Sequence, residues 1–202
     1  MNATLGHSYA WASDGIYGVL QAGFNLGRFS TSGPQENRRG LIFGGGIELP
    51  LGGNFFLQPE VNYVEKGQRS TLSAINNLGA TDAFVKYDFV DVAVLTKVKF
   101  GRNDLKLEIL AGPYYGFALT RALVVSTSSG DTLTDASSSL ASSDYGGMIG
   151  IGADFKAGID TAFYFNGRYV YGLANLASTT GGTVTSVSNR GIFLSFGYRF
   201  LL

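Results

Sequence analysis

The sequence predicts an all-β fold: a closed, up-and-down, eight-stranded antiparallel barrel with short turns at one end, long loops at the other, and its apolar face turned outward. Three observations predict it. Apolar side chains recur with a period of two along eight segments, with almost no sustained 3.6-residue pattern. The connections between those segments alternate short and long. The face opposite the apolar one consists largely of Gly, with a few long charged or amide side chains.

The first strand is expected from Ile16 to Phe29, with Ile16, Leu20, Phe24 and Leu26 on one face and Gln21, Gly23, Asn25 and Gly27 on the other. Arg39 to Leu51 repeats this, setting Leu41, Phe43, Ile47 and Leu49 against Ile42, Gly44, Gly46 and Glu48. Phe55 to Lys66 sets Leu57, Val61 and Tyr63 against Gln58, Glu60 and Asn62. Tyr87 to Phe100 sets Val90, Val92, Val94 and Val98 against Asp91, Lys97 and Lys99. Lys106 to Arg121 sets Leu107, Ile109, Tyr115 and Phe117 against Glu108, Gly112, Tyr114 and Gly116. Asp144 to Lys156, Thr161 to Leu173 and Asn189 to Leu202 complete the eight, with Asp154, Arg168 and Arg199 on their polar faces.

Short connections fall at Leu51–Asn54, Gly101–Asp104 and Ala157–Asp160, where Gly, Asn or Asp supplies the dihedrals a tight turn needs. Long ones fall at Ser30–Arg38, Gly67–Lys86, Ala122–Ser143 and Ala174–Ser188, all at the opposite end. From Ser126 to Ser143 the chain is mostly Ser, Thr, Asp and Gly, which predicts a solvated, mobile loop. Residues 1–14 are polar and lack an apolar h-region, so they are read as a flexible N-terminal segment without a signal peptide, and residues 15–202 as the barrel.

Composition removes several function classes. Fifteen Lys and Arg balance fifteen Asp and Glu, so no basic field exists to hold nucleic acid. Cysteine is absent, which excludes disulfide and thiolate chemistry. No stretch approaches the ~18 apolar residues of a membrane helix. The 29 glycines in 202 residues are roughly twice the usual share.

Volume decides which face is inside. An eight-stranded barrel is only just wide enough for side chains to fill it. The apolar face carries Phe24, Phe43, Phe55, Tyr63, Tyr115, Phe117, Phe155, Phe163, Phe165, Tyr169, Phe196, Tyr198 and Phe200, which overfill so narrow a core. They are therefore expected in lipid, and the barrel is expected to cross a membrane on strands of about 12 residues. Phe55, Phe100, Phe155, Phe163 and Phe200 flank the short-turn end. Tyr63, Tyr87, Tyr115, Tyr145, Tyr169 and Tyr171 lie toward the loop end, where amphipathic rings favour headgroup depth. A soluble, lipocalin-like ligand-binding barrel is the alternative, and a narrow channel is a second.

Counted from the short turns, Glu48, Glu60, Lys97, Glu108, Asp154 and Arg199 fall at similar depth on the inner face, with Arg168 a little higher. Buried charge is tolerable only when paired and hydrogen-bonded, so these seven are expected to form one connected network plugging that half of the lumen. Separate pairs bridged by water are the other arrangement. No catalytic, cofactor or metal site is expected. The one histidine, His7, precedes the first strand, which leaves a rim hydrolase without its base. Lys and Arg share the acidic layer and disfavour metal. The runs Gly44–Gly46 and Gly146–Gly147 lack the following helix of a phosphate loop. At the loop end, Arg38, Arg39, Lys66, Arg69 and Lys86 suggest a solvated rim that meets lipopolysaccharide, or a docking surface for an envelope protein. A monomer is expected.

Leu57-Gln58-Pro59-Glu60-Val61-Asn62-Tyr63 with Glu65-Lys66-Gly67 resembles a strand of the PorT-like outer-membrane β-barrel proteins. Gly112-Pro113-Tyr114, Arg168-Tyr169 with Tyr171-Gly172-Leu173-Ala174-Asn175-Leu176, and Asn189-Arg190 with Gly197-Tyr198-Arg199-Phe200 resemble three further strands of that family. The resemblance spans roughly Gly15 to Phe200. It departs four residues before Lys97, where the family commonly has Pro and this chain has Ala93, and at Leu201-Leu202, beyond the usual last aromatic. It implies a Gram-negative outer membrane and no catalytic residues.

Overall fold

The computed structural model describes residues 15–30, 35–70, 80–102, 104–127, 130–137, 140–176 and 188–202. Residues 1–14, expected to be a flexible segment, and His7 with them, lie outside the described residues, as do 71–79 and 177–187 in two of the expected long loops. The described chain forms nine strands: β1 (Tyr17–Ser30), β2 (Gln35–Gly52), β3 (Phe55–Ser70), β4 (Ala80–Arg102), β5 (Leu105–Thr127), β6 (Gly130–Asp135), β7 (Ser143–Lys156), β8 (Thr161–Gly172) and β9 (Ser188–Leu201).

All pairings are antiparallel. The order β4-β3-β2-β1-β9-β8-β7-β5 closes on itself through the β4–β5 pairing, so eight strands form a ring in which each has two neighbours. A ring of this kind satisfies its backbone groups between strands, which hydrocarbon requires. β1 and β9 meet from Tyr17↔Leu201 to Ser30↔Ser188. Tight turns close the lower end. At the first, Gly52 and Gly53 hold φ of 112° and 59°, values that L side chains rarely adopt.

The ninth strand corrects the expected count of eight and the reading of Ala122–Ser143 as a loop. β7 stops pairing β5 at Ser143↔Phe117, yet β5 continues to Thr127 alongside β4. The exposed ladder is taken up by β6, from Ala122↔Asp135 to Thr127↔Gly130. Leu123-Val124-Val125 and Thr132-Leu133-Thr134 favour strand, and that outweighs the low-complexity Ser and Asp around them. β2, β3 and β4 also extend further toward the loop end than the alternation alone predicts, paired with one another there from Gln35↔Ser70 and Arg69↔Phe84.

Apolar side chains cover the outside. Phe24 is 59% exposed and Ile151 70%, while Glu48 and Asp91 are fully buried. Tyr63, Tyr198 and Phe200 are half covered; Tyr63 stacks on Phe43 at 4.8 Å and Phe200 on Tyr198 at 6.1 Å. Tyr87 is the exception to the expected outer girdle. It is buried among Phe89, Ala174 and Leu176, because its hydroxyl donates to the Ala141 carbonyl over the barrel mouth.

Candidate functional site

Among the described residues, buried charged groups gather in the lumen, which is built in tiers. The inward residues of β4, read upward from the short turns, are Lys99, Lys97, Leu95, Ala93, Asp91 and Phe89. On β3 they are Gln58, Glu60, Asn62, Val64 and Lys66; on β8, Tyr164, Asn166, Arg168 and Val170. Each of these strands passes from polar or charged residues to an apolar one, and β3 and β4 then return to charge.

The lowest tier joins the ends of five strands, β2, β4, β5, β7 and β9. Lys99 Nζ lies 2.8 Å from Glu48 Oε2 and 2.7 Å from Asp154 Oδ2. Lys97 Nζ lies 3.0 Å from Glu108 Oε2 and 3.5 Å from Glu48 Oε2. Arg199 reaches Glu48 at 2.7 Å and Asp154 at 3.6 Å. Three carboxylates thus meet three cations, with Glu48 touching all three. The Arg199 guanidinium also lies 4.6 Å from the Tyr17 ring and Lys99 Nζ 5.0 Å from Phe56, an apolar floor that favours cation–π contact.

The second tier is a separate ion pair. Arg168 Nη1 donates to Glu60 Oε1. Glu60 also accepts from Gln58 at 2.7 Å, Asn62 at 2.9 Å and Gln21 at 3.3 Å. Arg168 Nε donates to Asn166 at 2.9 Å and Nη2 to Gln21 at 3.2 Å. Of the seven residues predicted, Glu48, Lys97, Glu108, Asp154 and Arg199 are therefore brought into one ionic cluster, and Glu60 with Arg168 into another. Lys97 over the Tyr164 ring, 5.5 Å from its centroid, with Tyr164 Oη donating to Gln21 at 3.2 Å, links the two.

Above them lies an apolar septum that sequence reasoning missed: Ile42, Val64, Ala93, Leu95, Leu110, Tyr114, Met148, Val170 and Phe193, all buried together. Seven strands contribute to it. Ala93, the departure from the family's Pro, is part of it and pairs with Glu60 and Tyr114.

The third ionic tier was also missed. Lys66 Nζ lies 3.0 Å from Asp91 Oδ1 and 2.9 Å from Asp144 Oδ2, and Asp144 accepts further from Tyr114 at 3.0 Å and Asn189 at 3.2 Å. This corrects Lys66 as a rim residue: it is 1% exposed, with the Phe89 and Tyr114 rings 4.4 and 4.9 Å from its ammonium. Lys86 does lie at the rim, half-exposed and 3.3 Å from Asp88, and Arg39 is exposed. The side chains of Arg38 and Arg69 lie outside the described residues.

Over this tier sit Tyr87, Phe89, Ala174 and Leu176, with Leu140 and Ala141 packed against them. Ala141 N donates to Leu176 O at 3.1 Å, and Arg121 Nη1 donates to Ser137 O at 3.0 Å and Leu140 O at 2.9 Å. Among the described residues no group of His, Cys, Asp and Glu has the arrangement of a metal site.

Replacing Lys97 or Arg199 by Met is expected to destabilise the barrel, because each change leaves buried carboxylates without their cation. Heat modifiability on gels reads this directly. Both variants should lose the compact, fast-migrating form at lower temperature than the parent, and unchanged mobility in both would remove the ionic cluster from the account of stability.

Comparison with known proteins agrees with this architecture. A family model described as "Outer membrane protein beta-barrel domain" matches residues 17–178. No curated protein matches the chain. Among solved structures, Neisserial surface protein A is similar with a TM-score of 0.58 and 12% identity, over 94% of this chain and 98% of that one. The attachment invasion locus protein Ail of Yersinia pestis, in complex with the heparin analogue sucrose octasulfate, gives 0.48 and 16% identity, over 93% of this chain and 99% of that one. The N-terminal β-barrel domain of Pseudomonas aeruginosa OprF gives 0.44 and 13%, over 93% and 98%.

Proposed function

The chain belongs to the outer membrane protein β-barrel domain family, and from that premise we propose that it is a non-conducting, non-catalytic barrel that holds structured loops at the cell surface or serves an envelope assembly. The bacterial outer membrane fits the outward apolar face and the inward charges. The observation that carries the reading is the filling of the lumen. Two ionic clusters, an apolar septum, a third ionic tier and a loop cover follow one another along its axis. An ion entering from the turn end meets paired charges and then the apolar septum, and one entering from the loop end meets the apolar cover first; desolvation at either apolar layer is costly.

Placement among the PorT-like barrels rests on the Leu57–Gly67 strand and the Gly112-Pro113 word, with lipid or lipopolysaccharide as surroundings and a monomer as the expected state. The soluble-barrel alternative is not favoured, because the aromatic residues face outward and the carboxylates are buried.

Planar-bilayer recording of the purified protein tests the central point. No stepwise conductance is expected in molar KCl. Defined single-channel steps that survive repurification would replace this reading with that of a narrow channel.

A further inference from the structure

The eight-stranded ring has no sheet edge, but β6 restores one. It is the end of the strand order, paired with β5 alone among the described residues, and all six of its residues are exposed. The hydrogen bond from Ala136 N to Arg121 O at 2.9 Å fixes which backbone groups are spent. Alternate residues of an antiparallel strand point their N–H and C=O to the same side. Gly130, Thr132 and Thr134, in phase with Ala136, therefore face β5. Asp131, Leu133 and Asp135 direct their N–H and C=O to the open edge.

The side chains of the same three residues share one face, since they lie opposite Ser126, Val124 and Ala122. That face reads acid–Leu–acid, with Leu133 66% exposed. Asp135 accepts from Ser137 N at 2.8 Å and Ser137 Oγ at 3.0 Å, which holds its carboxyl below the ordinary Asp range and keeps it charged. Natural edges are commonly blunted by charged side chains, Lys especially, or by Pro or a bulge. β6 has no Lys, Pro or bulge, and the charge it carries, on Asp131 and Asp135, repels acidic strands while admitting basic ones.

We propose that β6 is a docking edge for an extended partner strand carrying basic residues two positions either side of an apolar one, added antiparallel. Main-chain bonds from Asp131, Leu133 and Asp135 supply pairing, and the two carboxylates select basic residues at spacing i, i+4. A second copy of this chain is the wrong partner. Asp131-Thr132-Leu133-Thr134-Asp135 is palindromic, so full antiparallel self-pairing sets Asp131 against Asp135 twice, and like charges directly opposite are destabilising. The inference rests on the reading of the barrel as a carrier of surface structure.

The probe is a labelled synthetic peptide with the core Lys-Thr-Val-Thr-Lys, titrated by fluorescence anisotropy against the full chain in detergent micelles. Saturable binding is expected. It should weaken at least tenfold with the Asp131→Asn/Asp135→Asn pair, with a peptide carrying Glu for Lys, and with Leu133→Pro, which removes an edge donor that β5 does not use. Because Leu133→Pro could disturb the hairpin, a peptide N-methylated at alternate residues makes the same test on unaltered protein, and it too should bind at least tenfold more weakly.

Binding that depends on charge but ignores both backbone blocks is adsorption, and overturns the proposal. So does absence of saturable binding, or a doubled particle mass abolished by Leu133→Pro, which would make the occupant a second copy. If the protein conducts, the functional reading falls whatever the peptide does. If it is silent and the peptide does not bind, only this inference falls.

Discussion

Glu48→Leu is expected to be among the most damaging single substitutions in the barrel, costing about 3–5 kcal/mol, the range for breaking a buried ion pair from one side. Glu48 contacts Lys97, Lys99 and Arg199, so its loss leaves three cations facing the two carboxylates Glu108 and Asp154. Water has no ready route to them, since these side chains are at most 6% exposed. Denaturant titration in detergent, followed by tryptophan-independent far-ultraviolet dichroism and by gel mobility, measures the loss. The double variant Glu48→Leu/Arg199→Met restores two cations against two carboxylates. It should recover a substantial part of the stability that Glu48→Leu loses. If the double variant is weaker than Glu48→Leu by the full cost of Arg199→Met, charge balance does not govern the tier.

Gly112→Val is the second large effect, and its cause is steric. A Cβ on Gly112 points straight at the Val94 carbonyl and lies 2.9 Å from the Leu95 Cα. Both are backbone atoms of the neighbouring strand, so no side-chain rotation relieves the clash. Gly112→Ala already falls at the upper end of overpacking costs, about 3 kcal/mol, and the branched side chain of Val adds to it. Gly147 is the internal control. Its Cβ would meet nothing nearer than the Gly112 carbonyl at 4.0 Å, so Gly147→Ala should change stability by no more than about 0.5 kcal/mol. Refolding yield from urea into detergent separates the two. Equal yields for Gly112→Val and Gly147→Ala would show that the strands at this level have room to part.

Much of this structure is legible in the sequence, for a simple reason. In a thin barrel the two faces of every strand meet opposite solvents, and alternation is then unmistakable. Phe24, Phe43, Phe117 and Phe196 face outward, and Glu48, Lys97 and Arg199 inward, as the period of two requires. Height along the axis is harder to read than side. Tilted strands carry residues of different number to the same level, so Leu95, Leu110, Val170 and Phe193 read as isolated apolar residues on polar faces. Only the strand registers bring them to one level. Lys99 was on the recognised face but one pair nearer the turn than the counted layer. Alternation alone ends the third strand at Lys66 and so places that residue at the rim, whereas β3 continues to Ser70 and β4 begins at Ala80. β6 was hidden by composition: Ser, Thr and Asp suggest solvated chain, and the ladder left open on β5 is a tertiary fact.

The apolar septum has a consequence for how the lumen tolerates change. Neutrality is expected to be met on each side of it separately, because a layer of buried apolar side chains is costly for water or a counterion to enter. A cation lost from beside Glu60 is not made good by one gained beside Asp144. Sequence drift in such a barrel is then confined to exchanges among partners at one height, and a charge reversal survives only when its reciprocal arises on the strand that faces it.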